Sequence, residues 1–224
     1  MNDSSPPPPL HIRDSALVIL ATGHRAQGLR EFRDALLQVQ PDSIHHHFWG
    51  RLLQPLFDEP EYNNDFASWV RHGLHEKALA ERLSVITPID YPDIEALRNA
   101  VIETVEERLD ESEFVPWSRA DQMFHFLRSQ LIVLDTGLKI ATPEELGEAV
   151  TRMPLGSIYY HFIDARRRRE DRRDDFSAWL EGFGKKYSRL SIQLHDIDPY
   201  FSALRTLRYM LGNMFQGFTA EGGK

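Results

Sequence analysis

The sequence predicts a mainly α protein of the α+β class, built from two pseudo-symmetric copies of a strand-plus-helices unit with a small two-stranded sheet. Three observations predict it. Sliding the chain by 114 positions sets residues 11–48 over 125–162 without a gap, and twelve of those thirty-eight pairs are identical. Ordinary composition gives roughly two or three, so chance does not account for the match. Slides of 110 and 107 then set NDFASWV over DDFSAWL, and RLSV and EALR over RLSI and SALR, in the same order. Blocks in one order with shrinking offsets are what a duplication followed by small loop deletions leaves behind. Within each copy, finally, a short apolar run comes first and helical periodicity follows.

A copy of this length exceeds the usual solenoid unit, and two copies are too few for a stacking array, so the copies are expected to pack as one paired body. The expected organisation is a disordered Pro/Ser-rich tail over residues 1–10, a first copy over 11–109 and a linker over 110–123. A second copy over 124–216 and a loose terminus over 217–224 complete it.

In chain order, ALVIL and QLIVL are short apolar runs closed by Thr-Gly, which predicts buried strands ending in a turn. LREFRDALLQV and PEELGEAVTRM follow with apolar positions three and four apart, and Pro143 stands where a first helical turn accepts it. Ser43 and Ser157 stand where N-caps belong, with Ile44, Phe48 and Leu52 on one face of the helix that follows. Asn64 and Asp174 cap the next helix, whose buried stripe in the first copy is Phe66, Trp69, Val70 and Leu74. Helices around Lys77 to Val85 and Ile94 to Leu109 close the first copy, and one over Phe201 to Phe215 closes the second.

Composition excludes several classes of function. The chain has 224 residues and no cysteine, so disulfides, thiolate metal sites and a thiol nucleophile are absent, which fits a reducing, cytoplasmic compartment. MNDSSPPPPLHIRD lacks the basic start and apolar run of a signal peptide, and no apolar run approaches the ~20 residues of a membrane helix. A formal net charge of -8 opposes nonspecific binding to nucleic acid.

The run SIHHHFWG, from Ser43, invites a metal reading, but in SIYYHFID, from Ser157, only His161 keeps the third position. Neighbouring helical side chains point ~100° apart, so three adjacent imidazoles are not expected to share one ion. No metal or other cofactor is expected. The residues kept in both copies, His47 with Asp65 and His161 with Asp175, are the catalytic candidates if the protein is an enzyme, joined by His11, Glu31 and Arg98 and by His125, Glu145 and Arg205. Neutral imidazole beside carboxylate suits acid/base work or a metal such as iron, manganese or zinc, and equally suits a hydrogen-bonded pair at a core edge. Neither H-E-x-x-H nor E-x-x-H occurs to favour the first.

Two further features are candidates for binding. Thr22-Gly23-x-Arg25 recurs as Thr136-Gly137-x-Lys139, a hydroxyl, a glycine and a cation just before an expected helix N-terminus. With Arg98 and Arg205 these form a candidate site for an anionic small molecule, although a strand-to-helix turn wants Thr and Gly for its own geometry. ARRRREDRRDDF packs Arg166, Arg167, Arg168, Arg169, Arg172 and Arg173 together, a candidate surface for an acidic protein partner unless the neighbouring acids satisfy it.

The SI-x-x-HF and DF-x-x-W motifs, with the TG-x-[RK] turn, resemble those of a family of uncharacterised bacterial and archaeal domains of unknown function that carries this duplicated pattern. The resemblance covers His11 to Phe215 and implies the paired architecture, with no activity, substrate or cofactor attached. The expected function is a noncatalytic protein-interaction or small-ligand-binding module. The alternatives are an enzyme or metal protein using the His/Asp pairs, or an anion-recruiting surface on Arg166 to Arg173.

Overall fold

The computed structural model describes residues 7–53, 61–111, 113, 117–200 and 202–222, leaving aside the side chains of 219–222. The chain is mainly helical, with a two-stranded antiparallel sheet and a repeated strand-plus-helix arrangement. Strand β1 (Leu10–Ala26) leads to α1 (Leu29–Gln38), α2 (Pro41–Trp49), α3 (Asp65–His72), α4 (Lys77–Ser84) and α5 (Ile94–Glu111). Strand β2 (Phe124–Ile140) leads to α6 (Leu146–Arg152), α7 (Leu155–Ile158), a π-helical turn (Tyr159–Asp164) and α8 (Ala165–Arg168). Then come α9 (Asp175–Glu181), α10 (Ser188–His195) and α11 (Leu204–Gly222).

Two compact units form, and they cut across the copies. The middle unit is Leu17–Gln130, and the terminal unit joins the chain up to Ala16 to everything from Leu131 onward. The physical reason is that each 17-residue strand is divided. The first half of β1 belongs with the helices of the second copy, and the first half of β2 with those of the first.

The strands differ from the short buried runs expected. Both continue through Thr-Gly, where Gly23 (φ +86) and Gly137 (φ +71) take a conformation that costs a β-carbon residue, so the glycines kink a strand instead of ending it. Their core residues lie toward the ends: Ile12, Ala26, Phe124, Phe126 and Ile140 are buried, while Val18, Ile19, Ile132 and Leu134 in the apolar middles are exposed.

In the middle unit α1 packs on α5 and α3 on α4, around a ring cluster. Phe32 meets Phe66 at 5.5 Å, Phe124 at 5.3 Å and Phe126 at 5.5 Å between centroids, spacings at which edge-to-face and offset pairs add to simple burial. In the terminal unit α6 packs on α11 and α9 on α10, with Leu146, Phe162, Phe176, Leu211 and Phe215 fully buried.

Asn64 and Asp174 are the N-caps expected: each side-chain oxygen accepts the backbone N–H three residues on, at 2.8 Å. Asn64 also donates to Leu83 O at 3.0 Å. Asn64→Ala and Asp174→Ala should therefore each lower stability by about 1–2 kcal/mol, read from urea denaturation midpoints. Ser43 and Ser157 are not caps, because α2 starts at Pro41 and α7 at Leu155, which places both serines inside the first turn. The RLS alignment also shifts by about one helical turn. Leu79, Leu83 and Ile86 are buried at the spacing of Leu190, Leu194 and Ile197, a slide of 111 where the sequence suggested 107.

The tail expected over residues 1–10 lies outside the described residues at 1–6, and Leu10 opens β1. The terminus expected to be loose is helical as far as Gly222. Residues 54–60, within the first-copy counterpart of the arginine run, lie outside the described residues.

Candidate functional site: a histidine–aspartate pair against a strand

In the middle unit His47 sits on α2, 2% exposed, with its ring between α3 and β2. Its Nδ1 is 3.0 Å from Asp65 Oδ2, and its Nε2 is 3.0 Å from the backbone nitrogen of Leu127. A backbone N–H can only donate, so Nε2 accepts, and the ring proton of the neutral imidazole is on Nδ1, donated to Asp65. Ser43, one helical turn earlier, donates its hydroxyl to Leu127 O at 2.7 Å. One strand residue is thereby held by both of its main-chain groups.

The terminal unit repeats the histidine contacts, while Ser157 turns its hydroxyl to Asp14 Oδ1 at 3.4 Å and not to strand main chain. His161 Nδ1 is 2.8 Å from Asp175 Oδ2, and Nε2 accepts Arg13 N–H at 2.9 Å. The repeated tryptophans hold main chain too, two residues ahead of each strand: Trp69 Nε1–H donates to Gln122 O at 2.7 Å and Trp179 Nε1–H to Pro8 O at 2.8 Å. The repeated threonines do likewise. Thr22 donates to Phe126 O at 2.6 Å and Thr136 to Ile12 O, and each hydroxyl also accepts the N–H two residues on. The hydroxyls expected to meet an anion are thus turned to main chain, while Arg25 and Lys139 are exposed.

The wider polar site expected around each pair does not converge. Glu31 accepts Gln27 N–H at 2.8 Å and Glu145 accepts Ala141 N–H at 3.2 Å, each serving the entrance to its own helix. His11 and His125 are exposed. Arg98, 7% exposed, donates to Leu36 O and Val39 O, both at 2.7 Å, closing the end of α1. Arg205 is exposed, and the residue that closes α6 is Arg208, donating to Met153 O at 2.9 Å. The pairing of Arg98 with Arg205 is corrected by one turn of helix, since Val39 and Met153 are true counterparts.

The arginine run is largely satisfied at home. Arg166 lies over the Phe162 ring and donates to Leu194 O at 3.0 Å and Ile197 O at 3.3 Å, and burial lowers its pKa. Arg167 and Arg168 converge on Asp164, 1% exposed. Arg168 also reaches Asp175 Oδ2 at 3.1 Å. Arg169 and Arg173 hold Asp171, with Arg169 the larger cause of a carboxyl pKa well below the usual range. Sequence reasoning missed Asp164, although its spacing of three and four from two arginines was the available signal.

The two pairs differ at the preceding position, where His46 faces Tyr160 in the alignment. His46 is 2% exposed, its Nδ1 has no hydrogen-bond partner, and its ring lies against Gly50, where a Cβ would come within 2.5 Å. Burial first, and the neighbouring His47 second, push its pKa down to about 4 against the pull of Asp65. Ligand atoms of His46, His47 and Asp65 all lie within 4.8 Å of one another. Of the three adjacent imidazoles, which were not expected to share one ion, two nevertheless come together: the His46 and His47 rings lie within 5.1 Å between centroids, while His45 turns toward Trp49.

A titration follows from that burial. With a depressed folded pKa, the unfolded chain takes up the His46 proton first, so the stability due to neutral His46 is complete above about pH 6.5 and is lost between there and about pH 4. The loss is on the order of 3 kcal/mol. Denaturation midpoints of His46→Gln across that window should fall less steeply with acid, by one proton.

The comparisons with known proteins agree with this architecture. A family model described as a family of unknown function (DUF5752) matches residues 7–216. The chain belongs to that family. This DUF5752 protein is also similar to the solved structure of OrfY from Thermoproteus tenax, at 29% sequence identity and a TM-score of 0.82, over 96% of this chain and 98% of that one. Among curated proteins no match is found. No helix among the described residues of this DUF5752 chain is long and apolar enough to cross a membrane.

Proposed function

We propose that the protein is a noncatalytic, cytoplasmic module that works by binding a protein or a small ligand, and that its His–Asp pairs are strand clamps. One observation carries this reading: in both units each ring nitrogen of the repeated histidine is already engaged, Nδ1 by a carboxylate and Nε2 by a backbone N–H. A general base needs a lone pair facing its substrate, and a metal ligand needs one facing the ion. Here the Nε2 lone pair faces main chain. A metal at Nδ1 would drive the ring proton to Nε2, opposite a donor, and forfeit that hydrogen bond. The arginine run adds little support for an anionic partner, since Asp164, Asp171, Asp175 and Glu181 already take up its guanidinium groups.

Elemental analysis of protein purified without chelator, with thermal melts in zinc, manganese and ferrous iron, tests the reading. The expected outcome is no stoichiometric metal and no rise in the unfolding temperature, whereas phosphosugars, nucleotides or a captured protein can raise it. One retained metal atom per chain overturns it.

A metal-dependent or acid/base role at the first pair is the second reading, favoured by the unpartnered Nδ1 of His46 beside His47 and Asp65. It requires His47 to release Leu127. Its signature is a metal-induced rise in unfolding temperature that His46→Gln abolishes.

A further inference from the structure

The terminal unit holds residues Pro8–Ser15 as a receptor holds an extended peptide, largely by main chain. Trp179 takes Pro8 O, Thr136 takes Ile12 O, and His161 takes Arg13 N–H. Gly156 brings its own backbone flush against the strand: a Cβ there would lie 2.1 Å from Ser15 O, and Gly156 O accepts the Ser15 hydroxyl at 2.8 Å. Among the side chains of this stretch Ile12 is fully buried, while His11 and Arg13 are exposed.

The middle unit makes the equivalent contacts to a different sequence. Trp69 takes Gln122 O, Thr22 takes Phe126 O, and His47 takes Leu127 N–H. Pro8 has become Gln122, Ile12 has become Phe126 and Arg13 has become Leu127, with these three contacts kept and the serine contacts changed. Two related receptors that share this grip across those replacements each hold main chain plus one buried apolar side chain, as strand-addition sites do. Each helical set, moreover, already takes its strand from the other copy of the repeat.

We propose that the terminal unit also accepts Pro8–Ser15 from a second copy of this chain in place of its own, giving a reciprocal, strand-exchanged dimer. Exchange of an identical element creates no new contact chemistry and closes with two-fold symmetry, so it is a low-cost route to association. The inference rests on the reading of the His–Asp pair as a strand clamp.

The absence of cysteine makes a thiol test clean. Ser157 Oγ is 3.4 Å from Asp14 Oδ1, so Asp14→Cys and Ser157→Cys place thiols in reach of each other. Chains carrying one substitution each are mixed at high concentration, taken through partial denaturation and back, and oxidised. The expected result is a covalent dimer linking position 14 of one chain to position 157 of another, in excess over like-with-like links. Both substitutions in one chain should close an internal disulfide, as the control for reach. A closed control with no mixed dimer overturns the proposal. Should either variant misfold by circular dichroism, or the control stay open, the unmodified chain after the same treatment is sized by light scattering. A dimer that grows with concentration supports exchange, and monomer alone at every concentration overturns it. Failed exchange leaves the clamp within one chain standing, because that clamp is tested separately by the protonation of its ring nitrogens.

Discussion

His161→Ala is expected to lower the unfolding free energy by about 3 kcal/mol, and His47→Ala by a similar amount. Each removal orphans two groups at once: a partly buried backbone N–H, of Arg13 or Leu127, and one face of a carboxylate, of Asp175 or Asp65. Leaving a buried donor unsatisfied costs about 1–3 kcal/mol, and the vacated ring volume adds a cavity term. Asp175 is the better supported of the two carboxylates, since Arg168 lies 3.1 Å from its Oδ2, while Arg51 Nε lies 3.5 Å from Asp65 Oδ1. Equilibrium urea unfolding of both variants checks the prediction. Hydrogen exchange should localise the damage to the half-strand each histidine holds, with Arg13 or Leu127 losing protection first.

Gly156→Ala is expected to be at least as damaging. A methyl group there would stand 2.1 Å from Ser15 O and 2.4 Å from Asp14 Oδ1, the former a backbone atom that cannot turn aside. Overpacking ordinarily costs about 1–3 kcal/mol, and a clash with a hydrogen-bonded strand belongs at the upper end or beyond. The expected outcome is a loss of about 3 kcal/mol or more, accompanied by loss of the Arg13–His161 bond. Gly182→Ala is a useful contrast, because the nearest atoms there belong to the Pro7 ring. A Gly156→Ala protein of unchanged stability would mean that the half-strand is free to move off the α7 turn.

Much of this was legible in the sequence, and the unread part has identifiable causes. Duplication, strand-then-helices order and the Asn64 and Asp174 caps follow from identity blocks and local hydrogen-bonding chemistry, both of which act over short stretches. The strand lengths were not readable because Thr-Gly suits a turn and a kinked strand alike, and only the ladder on either side decides between them. Ser43 looked like a cap for the same kind of reason. A serine near a helix start satisfies a backbone group, and whether that group belongs to its own helix or to a distant strand is a tertiary fact. The Arg98 counterpart was misplaced by one turn because SALR repeats EALR in letters, while Arg208 repeats Arg98 in position along its helix.

Within the candidate site, comparing copies picked out residues that the fold uses together: the repeated His, Trp and Thr side chains reach main chain in or just ahead of the strands, and each His also meets its Asp. Their shared employment was hidden, because the segment each set holds lies far off in sequence, 53 residues away for Trp69 and 80 and 148 for the two histidines. The convergence of His46 with His47 was hidden too, since helix geometry alone sends neighbours apart, and the room for the His46 ring comes from the missing β-carbon of Gly50 one turn later.

The protonation pattern of the two repeated histidines is the most direct measurement of the central claim. Long-range 15N–1H correlation spectra at about pH 8 distinguish which ring nitrogen carries the proton. The account predicts the Nδ1–H tautomer at both His47 and His161, with Nε2 unprotonated and hydrogen-bonded. Finding the proton on Nε2 at either ring would contradict it, because that nitrogen could then neither accept from the strand nor hold it in place.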